Sequence, residues 1–286
     1  MFLITFYEDK PEDVKAGHAD IEKNSITDSG AGFSITIPGQ WVHQSTPNAI
    51  ILGHNTIPGM ALISPVVSGS MQSLVNEIHE SLQQGGSDLV LQANNLDAAD
   101  EHTLKMSLSG YSGFQQISGC SVNLLSPHGG GISVSTVVAS QFYDRSYIGL
   151  VEKIASSISF FEPHETEITR RWKNRLSGKR VSNSSGSYGQ HGGWHERNEF
   201  NLCSNGDIHG SSRSGVSVQA GSAHGSSQGG SGFLKGRWRI RSFGDYPAIE
   251  VTFSNGSVYR AVLAEQNGKV YLNNQPWFVT NDAQCG

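Results

Sequence analysis

A break in charge near residue 164 divides this chain into two stretches of opposite sign. Residues 1–163 carry 16 Asp and Glu against 6 Lys and Arg, a formal charge of −10. Residues 164–286 carry 9 acids against 14 bases, a charge of +5. Such an asymmetry points to two separately built units that attract each other or different partners. At 286 residues the chain is long enough for each unit to bury its own core. The overall charge of −5 averages two opposite halves and identifies no partner.

The chain is polar without being highly charged: 16% of its residues are charged and 34 are glycine. Cys120, Cys203 and Cys285 are too few and too far apart for a disulfide framework. Cys120 and Cys203 fall in alternating apolar runs and read as small buried hydrophobes, which favours a reducing compartment. No apolar run approaches the ~20 residues that span a bilayer. Met1–Tyr7 is apolar but lacks a basic lead and meets Glu8 and Asp9 at once, unlike a signal peptide. As written, the chain is expected in the cytoplasm; a start further upstream would make it extracytoplasmic.

In the acidic half, residues 1–29 read as a flexible acidic arm, and the stretch 8–30 is polar without periodicity. Phe33, Ile35 and Ile37 then alternate with polar residues, and Pro38-Gly39 turns the chain into Trp41, which reads as a half-buried strand. Met71, Leu74, Val75, Ile78 and Leu82 form one apolar stripe of a helix ended by Gly85-Gly86. Further strands follow at Leu104/Met106/Leu108, Cys120/Val122/Leu124 and Ile132/Val134/Thr136/Val138. A closing helix places Tyr147, Leu150, Val151, Ile154 and Ile158 on one face. This order predicts an antiparallel sheet covered by helices, an α+β sandwich.

The run Gly32-Phe33-Ser34-Ile35-Thr36-Ile37-Pro38-Gly39-Gln40-Trp41 resembles the signature strand of PsbP/Mog1-like domains. The element order, ending in a helix that runs into Ser157-Ile158-Ser159-Phe160, is similar too. The resemblance covers about residues 30–162. It implies that fold and a binding or assembly role, as in photosystem accessory proteins, transport factors and bacterial envelope proteins. It brings no shared catalytic residues.

Residues 163–178 read as a basic connector helix. Glu165 and Glu167 open it and Arg170, Arg171, Lys173 and Arg175 close it, the order a helix dipole favours. Ile168, Trp172 and Leu176 share one face. From 179 to 286 the chain reads as nearly all strand. Asn205-Gly206, Asn255-Gly256 and Asn267-Gly268 separate alternating apolar runs, and Asn-Gly suits type I′ hairpin turns. About eight strands with tight turns predict an all-β antiparallel meander closed into a small barrel. Gly236-Arg237-Trp238 resembles the Gly-x-Trp element of lipocalin and related calycin barrels. There it opens the barrel; here it follows several strands, so the expectation is a calycin-like barrel with a different starting point.

Two Gly/Ser-rich stretches, Ser182–Gly193 and Gly210–Gly232, are expected to interrupt the barrel as loops, either passive or forming a ligand-contacting lid. Gly225-Ser226-Ser227-Gln228-Gly229 matches the nucleophile-elbow pattern but lacks the strand-to-helix context that motif needs. His191 and His195, with Cys203 and His209 nearby across a hairpin, are the candidate metal ligands, since zinc accepts N and S donors tetrahedrally. Arg237, Arg239 and Arg241 form a comb on one face of a strand, with Trp238 and Ile240 on the other. The comb and Trp238 are the candidate ligand-binding residues. The arginines either dock the acidic half, giving an intramolecular acidic–basic contact, or hold a carboxylate, sulfate or phosphate. Nucleic acid is not expected, because +5 beside −10 makes a poor polyanion funnel.

The leading expectation is a non-enzymatic binding or assembly protein. Its N-terminal domain is a protein-contact module, and its barrel binds a small ligand or partner without a required cofactor. The alternative is an enzyme or metalloprotein with its site at the Gly/Ser-rich barrel mouth.

Overall fold

The computed structural model describes residues 25–83, 89–189, 192–220 and 223–285. It divides into two compact units, Met1–His164 and Glu165–Gly286, so the structural boundary coincides with the charge break.

The N-terminal unit is built on a seven-stranded antiparallel sheet. Its strands are β3 (Trp41–Ser45), β4 (Ile50–His54), β5 (Met60–Val66), β6 (Leu89–Ala98), β7 (Thr103–Ser112), β8 (Gln115–Leu125) and β9 (Gly131–Ala139), in the spatial order β3-β4-β5-β9-β8-β7-β6. A smaller sheet pairs β1 (Ser25–Asp28) and β10 (Ser159–Phe160) with β2 (Phe33–Thr36) between them. The alternation in β9 is the cleanest sequence signal here: Ile132, Val134, Thr136 and Val138 are all buried. Helix α1 (Met71–Gln83) packs Leu74 and Ile78 against Val66, Leu104 and Leu125. Helix α2 (Arg145–Ser156) is capped by Asp144, whose carboxylate accepts from the Ser146 N–H at 2.7 Å. It buries Tyr147, Val151, Ile154 and Ala155. Cys120 donates its S–H to the Tyr147 carbonyl at 3.7 Å. Because Cys120 and Leu125 point to opposite sides of β8, α1 and α2 cover opposite faces of the sheet.

Residues 25–28 do not belong to the expected flexible arm. Ser25–Asp28 is strand β1, paired with β2 over four residues. The buried Asp28 carboxylate accepts from the Gly30 and Ala31 N–H groups at 3.0 and 2.9 Å and fixes the turn between them. A lone acidic residue gave no pattern to read; its work is local hydrogen bonding. Residues 1–24 lie outside the described part.

The C-terminal unit opens with helix α3 (Glu167–Leu176) and continues as a closed eight-stranded antiparallel barrel. Its strands are β11 (Lys179–Gly189), β12 (Gly192–Leu202), β13 (Asp207–Ala220), β14 (Ala223–Phe243), β15 (Tyr246–Phe253), β16 (Val258–Gln266), β17 (Lys269–Leu272) and β18 (Gln275–Thr280). One face of each strand from β11 to β17 supplies the core, where Val181, Leu202, Ile208, Trp238, Ile249, Val251, Ala261, Leu263, Val270 and Leu272 pack together, and Trp277 and Val279 of β18 pack against it. Trp172 and Leu176 of α3 complete that cluster. The connector is thus part of the barrel unit and contributes to its core. Thr166 caps α3, and Arg175 lies 5.5 Å over the Trp172 ring while bridging to Glu265 at 2.5 Å.

The described residues of the two Gly/Ser-rich stretches are strand rather than loop; residues 190–191 and 221–222 lie outside the described part. Lys179–Gly189 pairs residue for residue with Gly192–Leu202, and Asp207–Ala220 pairs with residues 223–237 of β14, with one irregularity between Arg213 and Gly215. Ladder hydrogen bonds use only backbone groups, so a stretch with few side chains to pack still joins a sheet once its neighbours fix the register. Gly225–Gly229 accordingly lies in β14, without a strand-to-helix turn.

Only one of the three Asn-Gly pairs has the expected turn. Asn267 and Gly268 both have positive φ, 52° and 75°, as a two-residue type I′ hairpin requires. At Asn205-Gly206 and Asn255-Gly256 only the glycine does, and longer turns close with Gly206 N–H to Cys203 C=O and Gly256 N–H to Phe253 C=O.

The expectation of unpaired cysteines is overturned. Cys203 and Cys285 form a disulfide across 82 residues of sequence. The spacing concealed it because barrel closure brings the end of β18 beside β11, and β11 pairs with β12. The last residues run along that seam. Lys179 Nζ donates to Asn281 Oδ1 at 2.5 Å, Arg180 Nη1 to Asp282 Oδ2 at 3.0 Å, and the Gln284 N–H to Asn201 Oδ1 at 3.0 Å. Cys120 remains a free, buried thiol, as its alternating run predicts.

Candidate functional site

The arginine comb lies on β14 with its side chains outward, because Trp238 and Ile240 between them belong to the barrel core. Trp238 is therefore no surface ligand residue: it is buried and donates its indole N–H to the Cys203 carbonyl at 3.0 Å. Gly236, two residues before it, is required by close backbone approach. A Cβ there would sit 2.3 Å from the Thr252 carbonyl oxygen of β15.

The three arginines have different surroundings. Arg237 is paired with Asp207 at 2.9 Å, and both side chains are largely solvated. Arg239 lies opposite Glu250 of β15 and bonds it through Nε at 2.8 Å. Arg241 makes no ion pair among the described residues. Burial draws its guanidinium below the ordinary arginine range, and the Arg239 charge adds to that effect.

Register adds two residues that reading β14 alone missed. Glu250 is also the direct cross-strand partner of Arg260 on β16, so a single carboxylate stands between two guanidinium groups. Glu250 is only 8% exposed. Arg260 is likewise drawn down by burial, opposed by the Glu250 charge. Counting outward from the Gly244-Asp245 turn, residues 239 and 250 face each other, so this pairing was available from the hairpin arithmetic. The Arg260 position needed the next turn as well. The result is three guanidinium groups, Arg239, Arg241 and Arg260, gathered about one carboxylate. Guanidinium forks suit carboxylate, sulfate or phosphate oxygens.

Of the four candidate metal ligands, Cys203 and His209 have side chains among the described residues. His191 lies outside the described residues. His195 is placed on β12 opposite Gly186 and Gly215, and its side chain lies outside the described part. Cys203 and His209 are neighbours, with Sγ 3.9 Å from Nδ1. The Cys203 sulfur is engaged in the disulfide, however, and in that form is no thiolate ligand. His209 Nε2 donates to the Gln284 carbonyl. Among the described residues no group of three or more His, Cys, Asp or Glu is placed to hold a metal ion. No described helix is long and apolar enough to cross a membrane.

The N-terminal unit presents a second feature that its alternation did not reveal. Val90 of β6 and Tyr111 of β7 are register partners and both exposed, and Phe114 in the β7–β8 turn is fully exposed. Three large apolar side chains thus stand in solvent at one end of the sheet.

No protein-family model matches the chain, and no curated relative matches it in sequence. Among solved structures, it is similar to the Ran-binding protein Mog1p of Saccharomyces cerevisiae, with a TM-score of 0.37 and 6% identity over 50% of this chain and 97% of that one. It is also similar to a Bacteroides thetaiotaomicron protein, with a TM-score of 0.34 and 11% identity over 53% of this chain and 56% of that one.

Proposed function

We propose that this chain is a non-enzymatic binding or assembly protein whose barrel takes an anionic group of a small ligand or partner on its outer face. The carrying observation is the half-buried Arg241, without an ion pair among the described residues, beside the Arg239–Glu250 pair. Glu250 serves in this reading as an internal counter-ion. It holds Arg239 and faces Arg260, and it leaves the cluster with an excess of positive charge. The N-terminal unit acts as the protein-contact module, a role supported by the exposed Val90, Tyr111 and Phe114. The assignment of that unit to the PsbP/Mog1-like sandwiches, and of the barrel to the calycin-like class, belongs to the same reading. It rests on the strand–Pro–Gly–x–Trp and Gly-x-Trp elements.

Titration of inorganic phosphate and of citrate into the full chain, followed by calorimetry, tests the barrel site. Arg241→Gln is expected to weaken binding by about tenfold or more, the equivalent of one charge-assisted hydrogen bond. Arg237→Gln should leave it unchanged, because Arg237 is engaged by Asp207. No binding of either anion, or equal loss in both variants, would remove the anion reading.

A further inference from the structure

The disulfide is asymmetric in a way that bears on its chemistry. Cys203 is 4% exposed and is fixed in the β12–β13 turn: its N–H donates to the Asp207 carbonyl at 2.8 Å, and its carbonyl accepts from Gly206 and from Trp238. Cys285 is exposed and lies in the terminal segment beyond β18. A thiolate approaching from solvent therefore meets the Cys285 sulfur first, with Cys203 as the leaving sulfur behind it. The group beside that leaving sulfur is His209, its Nδ1 3.9 Å from Cys203 Sγ. The other ring nitrogen, Nε2, faces the Gln284 carbonyl, which can only accept, so Nε2 carries the hydrogen of the neutral ring. Protonation of that ring consequently adds its second hydrogen at Nδ1, directed at the Cys203 sulfur.

From this geometry we propose that Cys203–Cys285 is a thiol–disulfide exchange site, at which a low-molecular-weight thiol modifies Cys285. The incoming thiolate sulfur bonds to Cys285 Sγ as the Sγ–Sγ bond breaks. The electron pair of that bond passes to Cys203 Sγ, which takes a proton from Nδ1 of the His209 imidazolium. The attacking sulfur is oxidised into a mixed disulfide with Cys285, and Cys203 is reduced to the thiol. A leaving thiolate stabilised by a neighbouring proton donor departs faster. Exchange also removes the covalent tie of the terminal segment; the polar contacts to Lys179, Arg180, Asn201 and His209 remain.

Reduced glutathione is the probe. The oxidised full chain is incubated with it at neutral pH without denaturant and quenched in acid. Remaining thiols are alkylated, and early time points are mapped by peptide mass spectrometry. Glutathione on Cys285 with alkylated Cys203 is the expected product. Glutathione on Cys203 overturns the proposal. So does the absence of any adduct under conditions that thiolate the same chain in denaturant. His209→Gln keeps a donor for the Gln284 carbonyl but cannot be an imidazolium. With an unchanged circular dichroism spectrum, it is expected to slow exchange by roughly 3- to 10-fold. An unchanged rate in that variant overturns the role given to His209.

Discussion

Glu250 of β15 is held by Arg239 directly across the ladder, with Nε 2.8 Å from the carboxylate, on the outside of the barrel whose inside is apolar. The carboxylate is nearly buried while the Arg239 side chain is 44% exposed. Removing the acid leaves Arg239, Arg241 and Arg260 close together without it. Glu250→Ala is therefore expected to cost about 2 kcal/mol in urea unfolding. That is less than the 3–5 kcal/mol typical of a fully buried pair, since water screens one partner.

The two units should unfold separately. Trp172 is buried in the barrel core, so Trp172→Ala is expected to lower the stability of the C-terminal unit by about 3–5 kcal/mol. Calorimetry should show one transition moving down while the N-terminal transition stays in place. A single transition that moves as a whole would mean the units fold cooperatively.

The disulfide joins residues 82 apart in sequence, and chain entropy allows such a closure about 4.5 kcal/mol at most. Cys285→Ser should lower the midpoint of the C-terminal transition by on the order of 10 °C. Reduction of the native chain should have the same effect, and reduction of the variant should have no further one.

Acid should loosen the barrel seam. The Arg180 guanidinium holds the Glu199 carboxyl below the usual carboxylate range, and hydrogen bonding from Thr280, followed by the Arg180 charge, does the same to Asp282. Groups with lowered native pKa stabilise the fold above their unfolded values, near 4, and that contribution is lost as pH falls through the native ones. The urea midpoint of the C-terminal unit should hold steady down to about pH 4.5 and then decline. Glu199→Gln should start lower at neutral pH and decline less.

The exposed trio of the N-terminal unit should be dispensable for folding. Phe114→Ser is expected to change stability by no more than about 0.5 kcal/mol, because its side chain is fully exposed, and Tyr111→Ser by no more than about 1 kcal/mol, since it loses the cross-strand pair with Val90. A larger loss on thermal unfolding would show that these residues support the hairpin.

Periodicity made the regular elements legible. Helix α1 was visible in the stripe from Met71 to Leu82, α3 in Ile168, Trp172 and Leu176, and β9 in four alternating positions. Most of the barrel strands were countable because they carry two or three apolar residues facing the core, whereas β11 and β13 offer only Val181 and Ile208. Ser182–Gly193 and Gly210–Gly232 were illegible for the complementary reason: their backbones join the ladder and their side chains leave no period. Strand β6 was hidden as well. Its alternation breaks at a bulge between Asn94 and Asp97, where Asn95 takes a positive φ of 50°. Of the candidate site, the comb on one face of its strand could be read from alternation; its outward direction needed the core packing of Trp238 and Ile240, and the Cys203–Cys285 pairing depends on barrel closure.

The seam between β11 and β18 joins only three residue pairs, Arg180–Thr280, Val181–Val279 and Ser182–Phe278. Because it unites the first strand of the barrel with its last, it cannot form while the chain is still being synthesised through β18. Until then β11 presents one unpaired edge, and the core lacks the packing of Trp277 and Val279. Closure of this barrel therefore waits for its last strand, and the open-edged intermediate is the aggregation-prone stage of its folding.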